Sequence, residues 1–383
     1  MTRSLAGCRV LDFGIITAGA ATSALLADLG AEVLKVESPS YLDPFRIWTP
    51  SDNADPSAQA PFFRATNRGK LGVSLDAKQA SGREALLRLV AASDVVVENF
   101  RRGVLERMGL GFKTLAATKA GIILASISSQ GETGPLSQYV SYGSTLEAVA
   151  GLASLSGEPD GPPVLSGKEV NLPDQLVAMF AAAMIVTAWR TRLARGDAVH
   201  LDLSQRELTS FMVGEAFLAE RADRLGTQQS PFARQECVAA ADGWLAVSIT
   251  PAQLPVLVSV LATASLADWC ASRSAASSAS ALAAVGIAAA PVLDGADVLA
   301  TRGESWSHAF VPTSRFGWVK GMPFSLDSMP FRVDRDAPRP GADTATVLAT
   351  VAGLAAQQID ELFDTGAAAG PRPEQTRRHD VGV

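Results

Sequence analysis

Apolar and polar positions along the first 130 residues fall into two recurring patterns. Arg9-Val-Leu-Asp-Phe13 is a short apolar run. Residues 14–19 form a glycine-bearing loop, residues 20–29 carry Ala and Leu at helical spacing up to Gly30, and Glu32-Val-Leu-Lys-Val-Glu37 is a second apolar run. Strand, tight loop, helix and strand within about 30 residues predict a βαβ unit with parallel strands and a right-handed crossover. Leu71-Gly-Val-Ser-Leu75, Asp94-Val-Val-Val-Glu98 and Gly121-Ile-Ile-Leu-Ala-Ser-Ile127 add three strands, with an amphipathic helix over 80–92 between the first two. Runs of this kind, apolar at consecutive positions, belong to a parallel sheet covered on both faces. The fold class predicted is α/β.

Between these elements, residues 38–66 read as a long surface loop, and Asn67-Arg-Gly-Lys70 as either a phosphate contact or a solvated turn. Asn99-Phe-Arg-Arg-Gly103 follows a strand directly, at the end where open α/β sheets bind ligands. A small-residue helix is expected over 142–155 and a turn over 157–163. Residues 175–189 form a long apolar run without Gly or Pro, predicting a buried helix that ends near Gly196. Val199-His-Leu-Asp-Leu203 alternates as a strand, and Ser204 with Glu207 spells a capping box. Residues 221–240 read as polar and irregular, 243–249 as a strand, 261–284 as helical and 287–293 as an edge strand. The helices near 344–364 come last. The domains predicted are 1–220, a smaller α+β domain at 221–325, a returning segment at 326–369 and a disordered tail at 370–383.

Composition narrows the function. The 383 residues are 48% hydrophobic and 19% charged, with a formal net charge of −6, which argues against nucleic acid as a partner. Cys8, Cys237 and Cys270 are odd in number and far apart, predicting free thiols and a cytoplasmic location. His200, His308 and His379 have no spacing suited to a metal site, so no metal is expected. The N-terminal residues lack a hydrophobic signal region, and the run from Leu176 ends in Arg190-Thr-Arg192, so no membrane is expected either. The loop Gly14-Ile-Ile-Thr-Ala-Gly19 lacks the middle glycine of a dinucleotide fingerprint, although Glu37 stands where a ribose would be held. Asp174 opens the 175–189 helix. An Asp at a helix start has an ordinary reading, as a cap for free N–H groups, and a functional one, as a carboxylate nucleophile toward an activated acyl group; the local sequence leaves both open.

A set of stretches spaced over nearly the whole chain resembles the class III CoA-transferases, the CaiB/BaiF-like family of formyl-CoA transferase, carnitine CoA-transferase and α-methylacyl-CoA racemase. They include Leu5-Ala-Gly-Cys-Arg-Val-Leu-Asp-Phe13, Leu25-Leu-Ala-Asp-Leu-Gly-Ala-Glu-Val-Leu-Lys-Val-Glu37 and Asn67-Arg-Gly-Lys70. Asp94-Val-Val-Val-Glu-Asn-Phe-Arg101, Val104-Leu-Glu-Arg-Met-Gly-Leu-Gly111 and Val199-His-Leu-Asp-Leu-Ser-Gln205 continue the match. The resemblance implies a large Rossmann-like parallel-sheet domain with a smaller α+β domain, in a ring-like chain that forms an interlocked homodimer. It puts the catalytic aspartate on Asp174. It puts coenzyme A along Thr17 and Ala18, along Leu75, Asp76, Ala77 and Lys78, along Asn99, Phe100 and Arg101, and on Arg107. Thr17, Ser38, Val140 and Gly143 depart from residues that some members carry.

The activity implied is transfer of CoA from an acyl-CoA to a carboxylic acid through an aspartyl-CoA thioester. Backbone donors for the oxyanions are expected from loop 16–19 and from the helix start after Asp174. Two alternatives stand beside it. An acyl-CoA racemase has a His in the position matching Tyr142, and a catalytically silent CoA-binding subunit would bind without turnover.

Overall fold

The computed structural model describes residues 3–48, 60–167, 170–219, 226, 229–305, 309–313, 317–322 and 333–372. The chain divides into two compact units, each with its own core. The larger joins Met1–Ala150, Ser166–Met212 and Trp306–Val383; the smaller joins Gly151–Leu165 and Val213–Ser305.

The larger unit is built on a seven-stranded sheet. Its strands are β1 Arg9–Asp12, β2 Glu32–Glu37, β3 Leu71–Leu75, β4 Val95–Glu98, β5 Ile123–Ser128 and β6 Val199–Ser204, with the short strand Ala368–Ala369 at one edge. The order is Ala368–Ala369, β3, β2, β1, β4, β5, β6. All neighbours run parallel except Ala368–Ala369, which pairs antiparallel with β3.

Successive side chains leave opposite faces of a strand, so each strand feeds two cores. Val10, Val95, Val97, Ile123, Ala125 and Ile127 point one way, into the layer of helices α1 (Ala18–Asp28) and Leu172–Arg195. Leu11, Val96 and Leu124 point the other way, toward Leu86, Leu89, Val347, Leu348 and Ile359 of the helices Ala80–Ala91, Thr344–Thr350 and Ala356–Asp364. The helix Leu172–Arg195 is long and apolar enough to cross a membrane by length and composition. Its Val177, Ala178, Ala181, Ala182, Ile185 and Ala188 are buried, however, packing with the first of these cores as the sequence predicts for a core helix. Its far end is pinned by Arg192, whose guanidinium lies 2.9 Å from Asp94.

The smaller unit holds an antiparallel sheet of β7 (Arg234–Ala240), β8 (Gly243–Ile249) and β9 (Ala288–Pro291). Leu245, Val247, Ile249, Leu257, Leu282 and Ile287 form its core against helices Leu254–Leu261, Leu266–Ala271 and Ala275–Ala283. Pro291 lies on an edge strand, as its missing N–H requires. Three expectations are corrected. Residues 234–240 are a strand, because β8 supplies a full antiparallel partner to a segment too polar to declare itself. The helix over 142–155 is two pieces, Gly143–Val149 and Leu152–Leu155, broken at Gly151 with its positive φ of 88°. The stretch 38–66 is not all loop, since Pro61–Asn67 is helical under a Pro at its first turn. Most of the 370–383 tail lies outside the described residues.

Candidate active site

Chain connections leave β1 and β4 toward opposite sides of the sheet. A crevice therefore opens beyond the carboxyl ends of these neighbours. A cavity of about 1100 Å³ lies there. Every residue that the resemblance singled out lines it. Thr17 and Ala18 come from the β1 loop, Leu75, Asp76, Ala77 and Lys78 from the end of β3, Asn99, Phe100 and Arg101 from the end of β4, and Arg107 and Asp174 complete the set. The basic residues on its walls, Lys78, Arg83, Arg101, Arg102 and Arg107, all belong to residues 78–107. Lys78, Arg101, Arg102 and Arg107 are exposed to solvent. Such a wall suits the phosphates of a large anionic ligand held at a surface.

Asp174 is the opposite kind of group. It is only 9% exposed and lies in the first turn of Leu172–Arg195, after Pro173. The cap position belongs to Asn171, held at φ 50°, a conformation that Asn tolerates better than most residues. Its carboxylate accepts a hydrogen bond from Gln205 Nε2. Burial pushes the Asp174 carboxyl up to about 6, and the Gln205 bond only partly offsets this. Gln205, at the start of Gln205–Met212, also lines the cavity. The sequence signal for Gln205 is its position at the end of the matched stretch 199–205, beside a capping box formed by Ser204 and Glu207 that does not involve it. Ser204 Oγ does accept from the Glu207 N–H, at 3.2 Å.

The lip made by the β1 loop is held by side chains at each of its first three peptide groups. Asp12 accepts from Gly14 N–H at 2.8 Å, and Lys35 Nζ donates to the Gly14 carbonyl. Asn99 accepts from Ile15 N–H at 2.8 Å and donates back to the Ile15 carbonyl at 3.0 Å, tying the β1 and β4 loops together. Asp43 accepts from Ile16 N–H at 3.1 Å. Ile16 has φ 60°, a strained conformation for a β-branched residue, costing about 1–3 kcal/mol. With the Ile16 N–H engaged, the oxyanion donors expected from loop 16–19 reduce to Thr17, Ala18 and Gly19. Their N–H groups open helix α1 and have no acceptor among the described residues.

Beneath this lip, two sequence readings are corrected. Asn67-Arg-Gly-Lys70 is neither a phosphate contact nor a solvated turn. Lys70 is fully buried, donating at 2.8 Å to Asp12, 2.8 Å to the Ala20 carbonyl and 2.9 Å to Asn67, while Arg68 is buried against Asp28. Glu37, in the place of a ribose-binding acid, has both oxygens occupied by Arg46, which also lies over the Phe63 ring at 3.6 Å. His200 lies on β6, 3.0 Å from Ser126 Oγ and stacked on Phe112, and no His lines the cavity among the described residues.

Comparisons with known proteins supply the family. Residues 5–266 match the model of CoA-transferase family III. The chain belongs to CoA-transferase family III. Its relatives include the succinate–glutarate CoA-transferase of Agrobacterium fabrum, 32% identical over 69% of this chain and 68% of that protein. The succinyl-CoA–D-citramalate CoA-transferase of Chloroflexus aurantiacus is 37% identical over 52% of this chain, and the match spans 49% of that protein's length. Among solved structures, a CAIB/BAIF family protein from Brucella suis has 27% identity and a TM-score of 0.81, covering 92% of this chain and all of that one.

The departures from the family pattern have visible places. Thr17 caps helix α1 without a side-chain bond, Ser38 contacts Ser40, and Val140 is exposed on the cavity wall. Gly143 packs so closely that a Cβ there would come within 1.7 Å of Asn171 Oδ1. A side chain at 143 would have to displace Asn171, three residues before Asp174.

Proposed function

We propose that this chain moves CoA from an acyl-CoA donor to a free carboxylic acid, with Asp174 as the residue that carries CoA between them. One observation bears most of this reading: a buried carboxylate whose side-chain partner among the described residues is a neutral amide shares a single cavity with a solvent-facing row of cations. The phosphates of CoA lie along Lys78, Arg101 and Arg107, and the thioester reaches Asp174.

The Asp174 carboxylate attacks the thioester carbonyl, giving a mixed anhydride and releasing CoA thiolate. The thiolate attacks the aspartyl carbonyl, releasing the donor acid as its carboxylate and leaving an aspartyl-CoA thioester. The acceptor carboxylate attacks that thioester, forming a second anhydride and again releasing thiolate. Attack of the thiolate on the acceptor carbonyl gives the new acyl-CoA and restores Asp174. Elevation to about 6 leaves the group largely ionised at neutral pH and more basic than an ordinary aspartate, which suits a nucleophile. Gln205 orients it, and the N–H groups of Thr17 and Ala18 face the carbonyl oxygen on which negative charge develops.

The working form is an interlocked homodimer in a reducing cytoplasm. Supporting the dimer, Leu172–Arg195 leaves Met179 and Phe180 exposed, and Phe211 and Met212 are further exposed apolar side chains of the larger unit. The free cysteines fit the compartment. Mixing with acyl-CoA and trapping should give an adduct of CoA mass on the Asp174 peptide. A protein that exchanges CoA without that adduct refutes the mechanism. Sedimentation should give twice the 39.9 kDa of one chain.

A further inference from the structure

Asp43 lies on none of the matched stretches, yet it reaches both the cavity and the framework behind it. It lines the cavity while being 1% exposed overall. Its two oxygens meet three donors: Ile16 N–H at 3.1 Å, Phe45 N–H at 3.0 Å and Lys35 Nζ at 3.0 Å. Its own N–H donates to Glu37 at 2.9 Å, so the residue is fixed from behind by the Glu37–Arg46 pair. Lys35 is fully buried and also holds the Gly14 carbonyl. Asp43 and Lys35 therefore clamp the same three-residue stretch, at positions 14 and 16.

We propose that Asp43 is a positioning residue for acyl transfer at Asp174. By accepting the Ile16 N–H it holds Ile16 in the left-handed region and so fixes the direction in which Thr17 and Ala18 present their main chain to the cavity. An L-residue branched at Cβ does not rest at φ 60° unless its surroundings impose it. Released from Asp43, Ile16 relaxes toward negative φ, and the peptide groups that follow turn with it. Thr17 and Ala18 sit one and two residues further on, at the wall shared with Asp174. A shift there on the order of 1 Å costs about 100-fold in rate without touching the phosphate-binding wall. This inference rests on the reading of Asp174 given above.

The test measures single-turnover formation of the CoA adduct on Asp174 together with CoA affinity by calorimetry, for the full chain and for Asp43→Asn, Asp43→Ala and Asp43→Ala/Ile16→Gly. Asparagine keeps an oxygen for the backbone donors, so Asp43→Asn should lose less than about tenfold in rate, and Asp43→Ala about 100-fold. CoA affinity should stay within about threefold throughout, because Lys78, Arg101 and Arg107 are untouched. Glycine accepts positive φ without strain, so the double variant should regain at least about tenfold over Asp43→Ala, and it relieves the strained residue if the single variant folds poorly. Rates that stay level across the series, affinity that falls in step with rate, or a double variant no faster than Asp43→Ala would each overturn the proposal. If the parent forms no adduct, the assignment of Asp174 itself fails and this inference goes with it; a parent that reacts beside equally fast variants removes only Asp43.

Discussion

Glu37 and Asp174 are both buried carboxylates of the larger unit, 4% and 9% exposed, and burial pushes both upward. Their surroundings take them in opposite directions. For Glu37, the hydrogen bond and charge of Arg46, with Lys35 nearby, outweigh burial and bring the group below its usual range. Asp174 has, among the described residues, only the neutral Gln205 as a hydrogen-bond partner, and stays up at about 6. The difference separates scaffold from site. A carboxylate that folds beside a cation is part of the framework, whereas one left beside a neutral amide carries an uncompensated cost that only function explains.

The largest effect that would break this contrast is on Asp174. Asp174→Ala should lower CoA exchange by at least about 1000-fold while CoA still binds. It should also stabilise the fold. The folded-state value lies above the ordinary 3.8, so the charged form is the disfavoured one; the cost is absent below that value and complete above about 6. Urea unfolding at pH 8 should favour the variant by about 2–3 kcal/mol, and the gain should vanish toward pH 4. Equal stabilities at pH 8 would mean that the carboxylate is not desolvated in solution.

Glu37→Gln should act in the opposite sense, costing about 3–5 kcal/mol by leaving Arg46 buried without its charge partner. Since the folded-state value of Glu37 is depressed, its contribution is present at neutral pH and lost on acidification through that value. Unfolding midpoints at pH 7 and in steps below pH 4.5 measure both statements. At the cationic wall, Arg101→Ala and Lys78→Ala should each raise KM for acyl-CoA roughly tenfold with kcat nearly unchanged. A fall in kcat instead would move these residues from binding into the chemistry. The smallest and most discriminating effect concerns Gln205. In the parent, the rate of adduct formation should rise with pH through about 6 and then level off; Gln205→Leu removes the bond that lowers Asp174, so the inflection should move to higher pH.

Much of the larger unit was legible because parallel strands announce themselves. Val95-Val-Val97 is apolar at consecutive positions since both faces of β4 are covered, and its shortness separates it from the longer apolar run of a buried helix. The cavity residues were legible through resemblance, not through their own chemistry: Thr17, Lys78 and Arg101 are ordinary residues until the sheet order brings their loops to one crevice. What escaped reading was pairing at long range. Arg68 and Lys70 look like solvated or phosphate-seeking cations because their partners stand 40 and 58 residues earlier, at Asp28 and Asp12. Gln205 likewise meets Asp174 across 31 residues, a relation that no local pattern encodes. In the smaller unit, Arg234–Ala240 depends on its neighbour for strand character, and its half-exposed polar residues hid it.

Helix Leu172–Arg195 is a rigid spindle with Asp174 at one rim of the sheet and its anchor, Arg192 on Asp94, at the other. Such a rod sets rotational phase as well as distance. One residue added or removed between Ala178 and Arg192 would swing the carboxylate about 100° around the axis, away from the crevice, with every loop left unaltered. In those few turns the count of residues, and not only their identity, decides whether the Asp174 carboxylate meets the cavity.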